Sequence, residues 1–80
     1  MTPLQEALRD LVAEIAELDV ADVDLDTPFA LVDVDSLMAM EIAVHAESRF
    51  GIRYDEATLA RVTTLRLLAD LTEERLVART

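Results

Sequence analysis

The chain has no cysteine and no tryptophan, one glycine, two prolines and one histidine, and each of its seven basic residues is arginine. Each shortage excludes something. Without cysteine there is no disulfide framework, no thiolate metal site and no redox chemistry of the chain's own, so a domain of 80 residues has to hold itself together by packing. With one glycine and two prolines there are few tight turns, nothing reads as a hairpin, and strands are not expected. Apolar runs are only a few residues long, far short of the roughly 20 needed to span a bilayer, and the N-terminus lacks the charged and then apolar pattern of a signal peptide. The expectation is a cytoplasmic monomer with no membrane contact, one domain over residues 1–80, with a core of modest size drawn from a 52% hydrophobic composition.

Charge is the most lopsided property that is present. Seventeen acids face seven bases, for a formal net charge of −10. Eleven of the acids lie between Arg9 and Arg49 with no base among them, whereas six arginines meet five acids from residue 49 onward. A field of that sign repels nucleic acid and anionic lipid and steers basic protein surfaces toward itself. Composition alone equally allows that the acids simply solvate the fold.

The hydrophobic period predicts an all-α chain. Over residues 3–18, Leu4, Leu8, Leu11, Val12 and Ile15 recur at steps of three and four, and Thr2, Pro3 and Gln5 fit an N-cap, a first helical position and the third position of a capping box. Residues 19–35 lose the period and carry six aspartates, and the apolar residues Val20, Val23, Leu25, Phe29, Leu31 and Val34 read as anchors of a long loop. A second helix is expected from Ser36 to Phe50, closed by Gly51, with Met40, Ala43 and Phe50 inward and Leu37 near the edge. A short helix near Asp55–Ala60 and a last one, capped by Thr63 or Thr64 and carrying Leu65, Leu68, Leu71 and Leu76, complete a four-helix bundle with three longer helices and one short one.

Ser36 is the residue to explain. A serine nucleophile needs a base within hydrogen-bond reach, and His45, the only imidazole, lies nine residues along the same helix, about 13 Å away and on the opposite face. Self-activated serine catalysis within one chain is excluded, and no other catalytic set or pocket-forming sequence is present. Taken alone, Asp35 and Ser36 read as a helix cap, since both residue types are favoured there and an acid suits the helix dipole.

Three blocks in order change that reading. Asp35, Ser36 and Leu37 are followed by Glu41 inside "MEI", then by "ESRFGI" at residues 47–52 and by "DEATLARVTTL" at residues 55–65. Within an acidic four-helix pattern these blocks resemble the acyl carrier protein family, including the peptidyl carrier proteins, and the resemblance covers nearly the whole chain. It implies that Ser36 is modified by a separate phosphopantetheinyl transferase with 4′-phosphopantetheine from coenzyme A, leaving a terminal thiol that carries an acyl, aminoacyl or peptidyl thioester. The protein would then be a carrier and no enzyme, with the base supplied by the transferase and the thiol by the arm. The resemblance also implies that Asp35, Glu41 and Glu47 face basic docking surfaces on an acyltransferase or ligase, a ketosynthase or another synthase enzyme, with Leu37, Met38 and Val44 as the apolar part of the contact. Met38 and Val44 fit the core as well as they fit that contact.

The chain departs from the family pattern in two places. Many members have a glycine two or three residues before the motif's aspartate, where this chain has Leu31, Val32, Asp33 and Val34. The usual extra acids of the second helix are thinned, with Met38, His45 and Ser48 at exposed-looking positions. Together with arginine used to the exclusion of lysine, these departures lean toward a stand-alone carrier of polyketide or mixed polyketide and peptide biosynthesis. Two other readings stay open. Asp22, Asp24, Asp26 and Asp33 fall at positions one, three, five and twelve of a calcium loop, although Thr27 stands where glycine belongs and Asp33 where glutamate belongs. A non-catalytic acidic adaptor bundle would share the same composition.

Overall fold

The computed structural model describes residues 1–78, and among these the chain forms four α-helices and no strand: α1 (Pro3–Ala16), α2 (Ser36–Phe50), α3 (Glu56–Leu59) and α4 (Leu65–Ala78). Helix α1 begins where the capping box predicts. Gln5 N–H donates to Thr2 Oγ1 at 3.1 Å and Thr2 N–H donates to Gln5 Oε1 at 2.8 Å, with Pro3 supplying the first turn. The helix stops two residues before the expected end because Glu17 turns left-handed, at φ 56°, and the N–H groups of Glu17 and Leu18 both fold back to the Ala13 carbonyl.

The loop after α1 contains two short 3₁₀ turns, Val20–Asp22 and Phe29–Val32. Of the expected anchors, Val23, Phe29 and Val34 are buried and Leu25 packs half-buried against the core. Val20 and Leu31 are corrections: both point to solvent, Leu31 at 75% exposure. The loop is also stitched by its backbone, since Phe29 N–H donates to Thr63 O at 2.8 Å and Arg66 N–H donates to Leu25 O at 2.9 Å. The Arg66 guanidinium then grips both carboxylate oxygens of Asp26, at 2.8 and 3.0 Å. These ties satisfy backbone groups that a loop of this length would otherwise leave to water.

Helix α2 spans its expected range. Asp35 caps it, and Gly51, the only glycine, takes φ 66° to close it, with the Ile52 N–H returning to Glu47 O at 3.1 Å. Its buried side differs from the expectation. Ile42, Ala43 and Ala46 face the core, Phe50 is half-buried, and Met40 is exposed. Downstream, Asp55 caps α3 and Thr64 caps α4 through a 3.2 Å bond from Leu67 N–H.

Helix α1 packs against both α2 and α4. The core at that junction joins Leu8, Leu11 and Val12 to Ile42, Ala46, Leu65, Leu68 and Ala69, and the loop anchors close it. Thr72 is the polar residue buried there among the described residues. The Thr72 hydroxyl donates to Leu68 O at 2.7 Å, so its oxygen is left to accept from Tyr54 OH, also at 2.7 Å. That chain of bonds fixes the segment between α2 and α3 against α4.

Candidate functional site

Ser36 is the first residue of α2 and its side chain is exposed. The residue before it holds the helix start in place: Asp35 Oδ1 accepts from Met38 N–H at 2.8 Å, and Asp35 O accepts from Ala39 N–H at 2.9 Å. Asp33 adopts φ 62° two residues earlier, in the left-handed region that glycine enters most readily. Aspartate is among the few residue types that tolerate that region, so the turn into the helix forms here without glycine. The hydroxyl therefore stands on a rigid element, beside first-turn N–H groups that the helix itself does not satisfy. That end of a helix suits a phosphodiester. His45 is exposed further along α2, too far around the helix to act as a base.

An apolar cleft of about 240 Å³ opens beside Ser36, between the Phe29–Val32 turn, the start of α2 and the segment after α3. Phe29, Val34, Ala39 and Val62 line it, and Asp35, Ser36 and Thr63 form its polar part. Sequence reasoning identified Phe29 and Val34 only as anchors. Nothing local in the sequence places Val62 next to them.

The outward face of α2 carries a second apolar feature. Leu37, Met40 and Val44 are 72%, 51% and 60% exposed and, with Glu41 and His45, line a shallow groove of about 240 Å³. The two open assignments divide. Met38 is half-buried against the core, whereas Val44 belongs to the surface. Glu41 and Asp35 are exposed, but Glu47 is half-buried and its Oε2 accepts from Tyr54 N–H at 2.9 Å, so this carboxylate also braces the chain after α2. Met40 is the surface residue that sequence reasoning missed.

Two aspartates of the long loop, Asp24 and Asp26, are otherwise employed. Asp24 Oδ1 accepts from Asp26 N–H at 3.0 Å and Thr27 N–H at 2.8 Å, and the bonds from Thr27 hold its carboxyl below the usual carboxylate range. The Arg66 guanidinium does the same for Asp26. Among the described residues no cluster of three or more His, Asp or Glu is disposed to hold a metal ion, so the calcium-loop alternative is not favoured. No helix among them is long and apolar enough to cross a membrane.

With this geometry in view, the comparisons with known proteins agree. A family model described as "Phosphopantetheine attachment site" matches residues 6–72. The chain is 45% identical over 73 residues to the polyketide-8 synthase acyl carrier protein 2 of Streptomyces avermitilis, covering 90% of this chain and 84% of that protein. It is 33% identical over 63 residues to the iterative polyketide synthase afoE of Emericella nidulans, of whose length it spans only 2%. Among solved structures, the acetyl actinorhodin acyl carrier protein from Streptomyces coelicolor superposes with a TM-score of 0.80 at 34% identity, covering 100% of this chain and 95% of that one.

Proposed function

Because the chain belongs to the acyl carrier family that bears a covalent 4′-phosphopantetheine arm, we propose that Ser36 is the residue that carries the arm. The observation that carries this reading is that Ser36 is exposed at the first turn of α2 with Asp35 locked in place as the cap behind it. The Ser36 hydroxyl forms the bond to phosphorus, the bond from that phosphorus to the nucleotide part of coenzyme A breaks, and the hydroxyl proton leaves to a base on the transferase. The residues present suit the product, because the unsatisfied N–H groups and the positive end of the helix dipole stabilise a phosphodiester there. The arm supplies a terminal thiol on which an acyl group is held as a thioester. This chain's own part is to fix the attachment point, to shelter what lies beside it in the Phe29–Val62 cleft, and to present α2 to enzymes.

The cargo is an acyl intermediate of polyketide assembly, a reading supported by the 45% identity to a polyketide synthase carrier over most of both chains. Residues 1–80 act as a single cytoplasmic carrier domain. Its partners are the phosphopantetheinyl transferase, an acyltransferase or ligase, and a ketosynthase or other synthase enzyme with a basic surface. Asp35 and Glu41 attract such surfaces at long range, and Leu37, Met40 and Val44 form the apolar centre of the contact. Met38 supports that centre from the core side, and Glu47 borders it while bracing Tyr54. Long-range attraction around a small apolar patch gives fast, weak and reversible docking, which a carrier visiting several enzymes requires.

Intact mass after incubation with coenzyme A and a broad-specificity transferase tests the assignment. The wild-type chain gains one phosphopantetheinyl group and Ser36→Ala gains none. Addition to Ser36→Ala, or to the other exposed serine, Ser48, would refute it.

A further inference from the structure

The apolar strip of α2 runs, at the end far from Ser36, into a groove of opposite character. Val44 belongs to both. It lines the shallow strip groove with Leu37, and it also lines an open groove of about 770 Å³ shared with Ser48, Gly51 and two arginines, Arg53 and Arg75. Leu37, Val44 and Ser48 lie within about 20° of one line along the helix and span about 16 Å of rise, so one partner laid on this face meets both grooves.

Neither arginine of the groove is held in an ion pair among the described residues. The ion pairs among the described residues are Arg9–Asp10 and Arg66–Asp26, neither of which is here. Glu47 also lines the groove; its Oε2 accepts from Tyr54 N–H, and it forms no ion pair with either arginine. Arg75 is half-buried, and its Nε is shielded from water with no hydrogen-bond partner among the described residues. A carboxylate arriving from solvent meets the outer nitrogens of the guanidinium rather than the shielded Nε, and the planar fork matches a carboxylate best.

We propose that the groove receives a carboxylate side chain of a partner protein docked along α2, on Arg53 and Arg75. The inference rests on the reading that this face of α2 is what partners meet, and it adds a second anchor of opposite sign. Acids at the Ser36 end take the partner's bases, and the arginine pair, in the groove that begins at Val44 and Ser48, takes an acid. Two anchors of one sign read alike in either direction, whereas two of opposite sign fix which end of the helix faces the partner's catalytic entrance. The occupant is protein-borne because a carboxylate held only at millimolar strength when free becomes an effective anchor when an existing contact delivers it at high effective concentration.

The test uses the unmodified, isotope-labelled protein at fixed ionic strength, with acetyl-glutamate amide as probe and acetyl-glutamine amide as the neutral control. The expected result is a saturable shift of the Arg53 and Arg75 Nε–H signals with a millimolar dissociation constant, no response to the glutamine control, and flat Arg61 and Arg66 signals. Arg53→Gln, an exposed change, weakens the constant by about tenfold, and the Arg53→Gln, Arg75→Gln pair abolishes saturation. A non-saturating drift shared by all the arginines, or an Arg53→Gln curve identical to wild type, overturns the proposal. The experiment reads neither Ser36 nor the arm, so it fails independently of the attachment assignment.

Discussion

Helices α1 and α2 are almost equal in length, 14 and 15 residues, and they use their apolar residues in opposite ways. Helix α1 turns Leu8, Leu11, Val12 and Ala13 inward and leaves Glu6, Asp10 and Glu14 outside. Helix α2 buries Ile42, Ala43 and Ala46, and still places Leu37, Met40 and Val44 in water. The apolar content of α1 is consumed by the fold. That of α2 exceeds what the core takes, and a contiguous apolar surplus on an acidic surface marks a contact face. The comparison also explains why α2 buries alanines: small residues let α1 and α2 pack while the larger side chains remain free for partners.

The sharpest way to break the comparison is to truncate one leucine from each helix. Leu8→Ala removes a side chain with no solvent exposure and is expected to cost about 2–5 kcal/mol. Thermal unfolding should show that as a fall of roughly 10 °C or more. Leu37→Ala, at 72% exposure, should stay within about 0.5 kcal/mol of wild type. Equal losses would mean that α2 has no surplus face. Next in size is the cap that sets the site: Asp35→Ala loses the bond to Met38 N–H and should cost about 1 kcal/mol in chemical denaturation. Of similar size and opposite sign, Glu17→Gly relieves the left-handed end of α1 and should gain up to about 1 kcal/mol.

The smallest effect concerns pH. Burial raises the Tyr54 phenol above its usual value of 10.0, against the lowering effect of the bond to Thr72. In the unfolded chain the phenol ionises near 10, so its contribution is complete below that pH and is lost as pH rises through the higher folded value. Stability followed from pH 9 upward should therefore decline in the wild type. Tyr54→Phe, which gives up the Thr72 bond at neutral pH, should lose that part of the alkaline decline.

Much of this was legible in the sequence because the signals are local. Thr2, Pro3 and Gln5 mark the start of α1; Asp35, Asp55 and the pair Thr63 and Thr64 mark three more starts, with the structure selecting Thr64, and Gly51 marks an end. Ser36 lies in the block that carries the family resemblance. What was not legible is what long-range packing decides. Met40 was expected inside and Ile42 was passed over because α2 is apolar on both faces, so helical period alone does not say which face is buried. Leu31 looked like an anchor although Phe29 and Val34 already close that part of the core. Glu47 reads as a free surface acid until Tyr54 folds back onto it, and the groove at Arg53 and Arg75 exists only because the end of α4 comes beside the end of α2.

The division of α2 into a structural and a docking face is the central claim, and it is tested most directly by measuring the transferase's kcat/KM on Leu37→Ala beside the variant's thermal midpoint. The account predicts a midpoint within about 4 °C of wild type, the equivalent of about 0.5 kcal/mol, and a kcat/KM lowered by about tenfold, as expected on removing an apolar contact worth about 1.4 kcal/mol. An unchanged kcat/KM, or a midpoint that falls as far as that of Leu8→Ala, would contradict it.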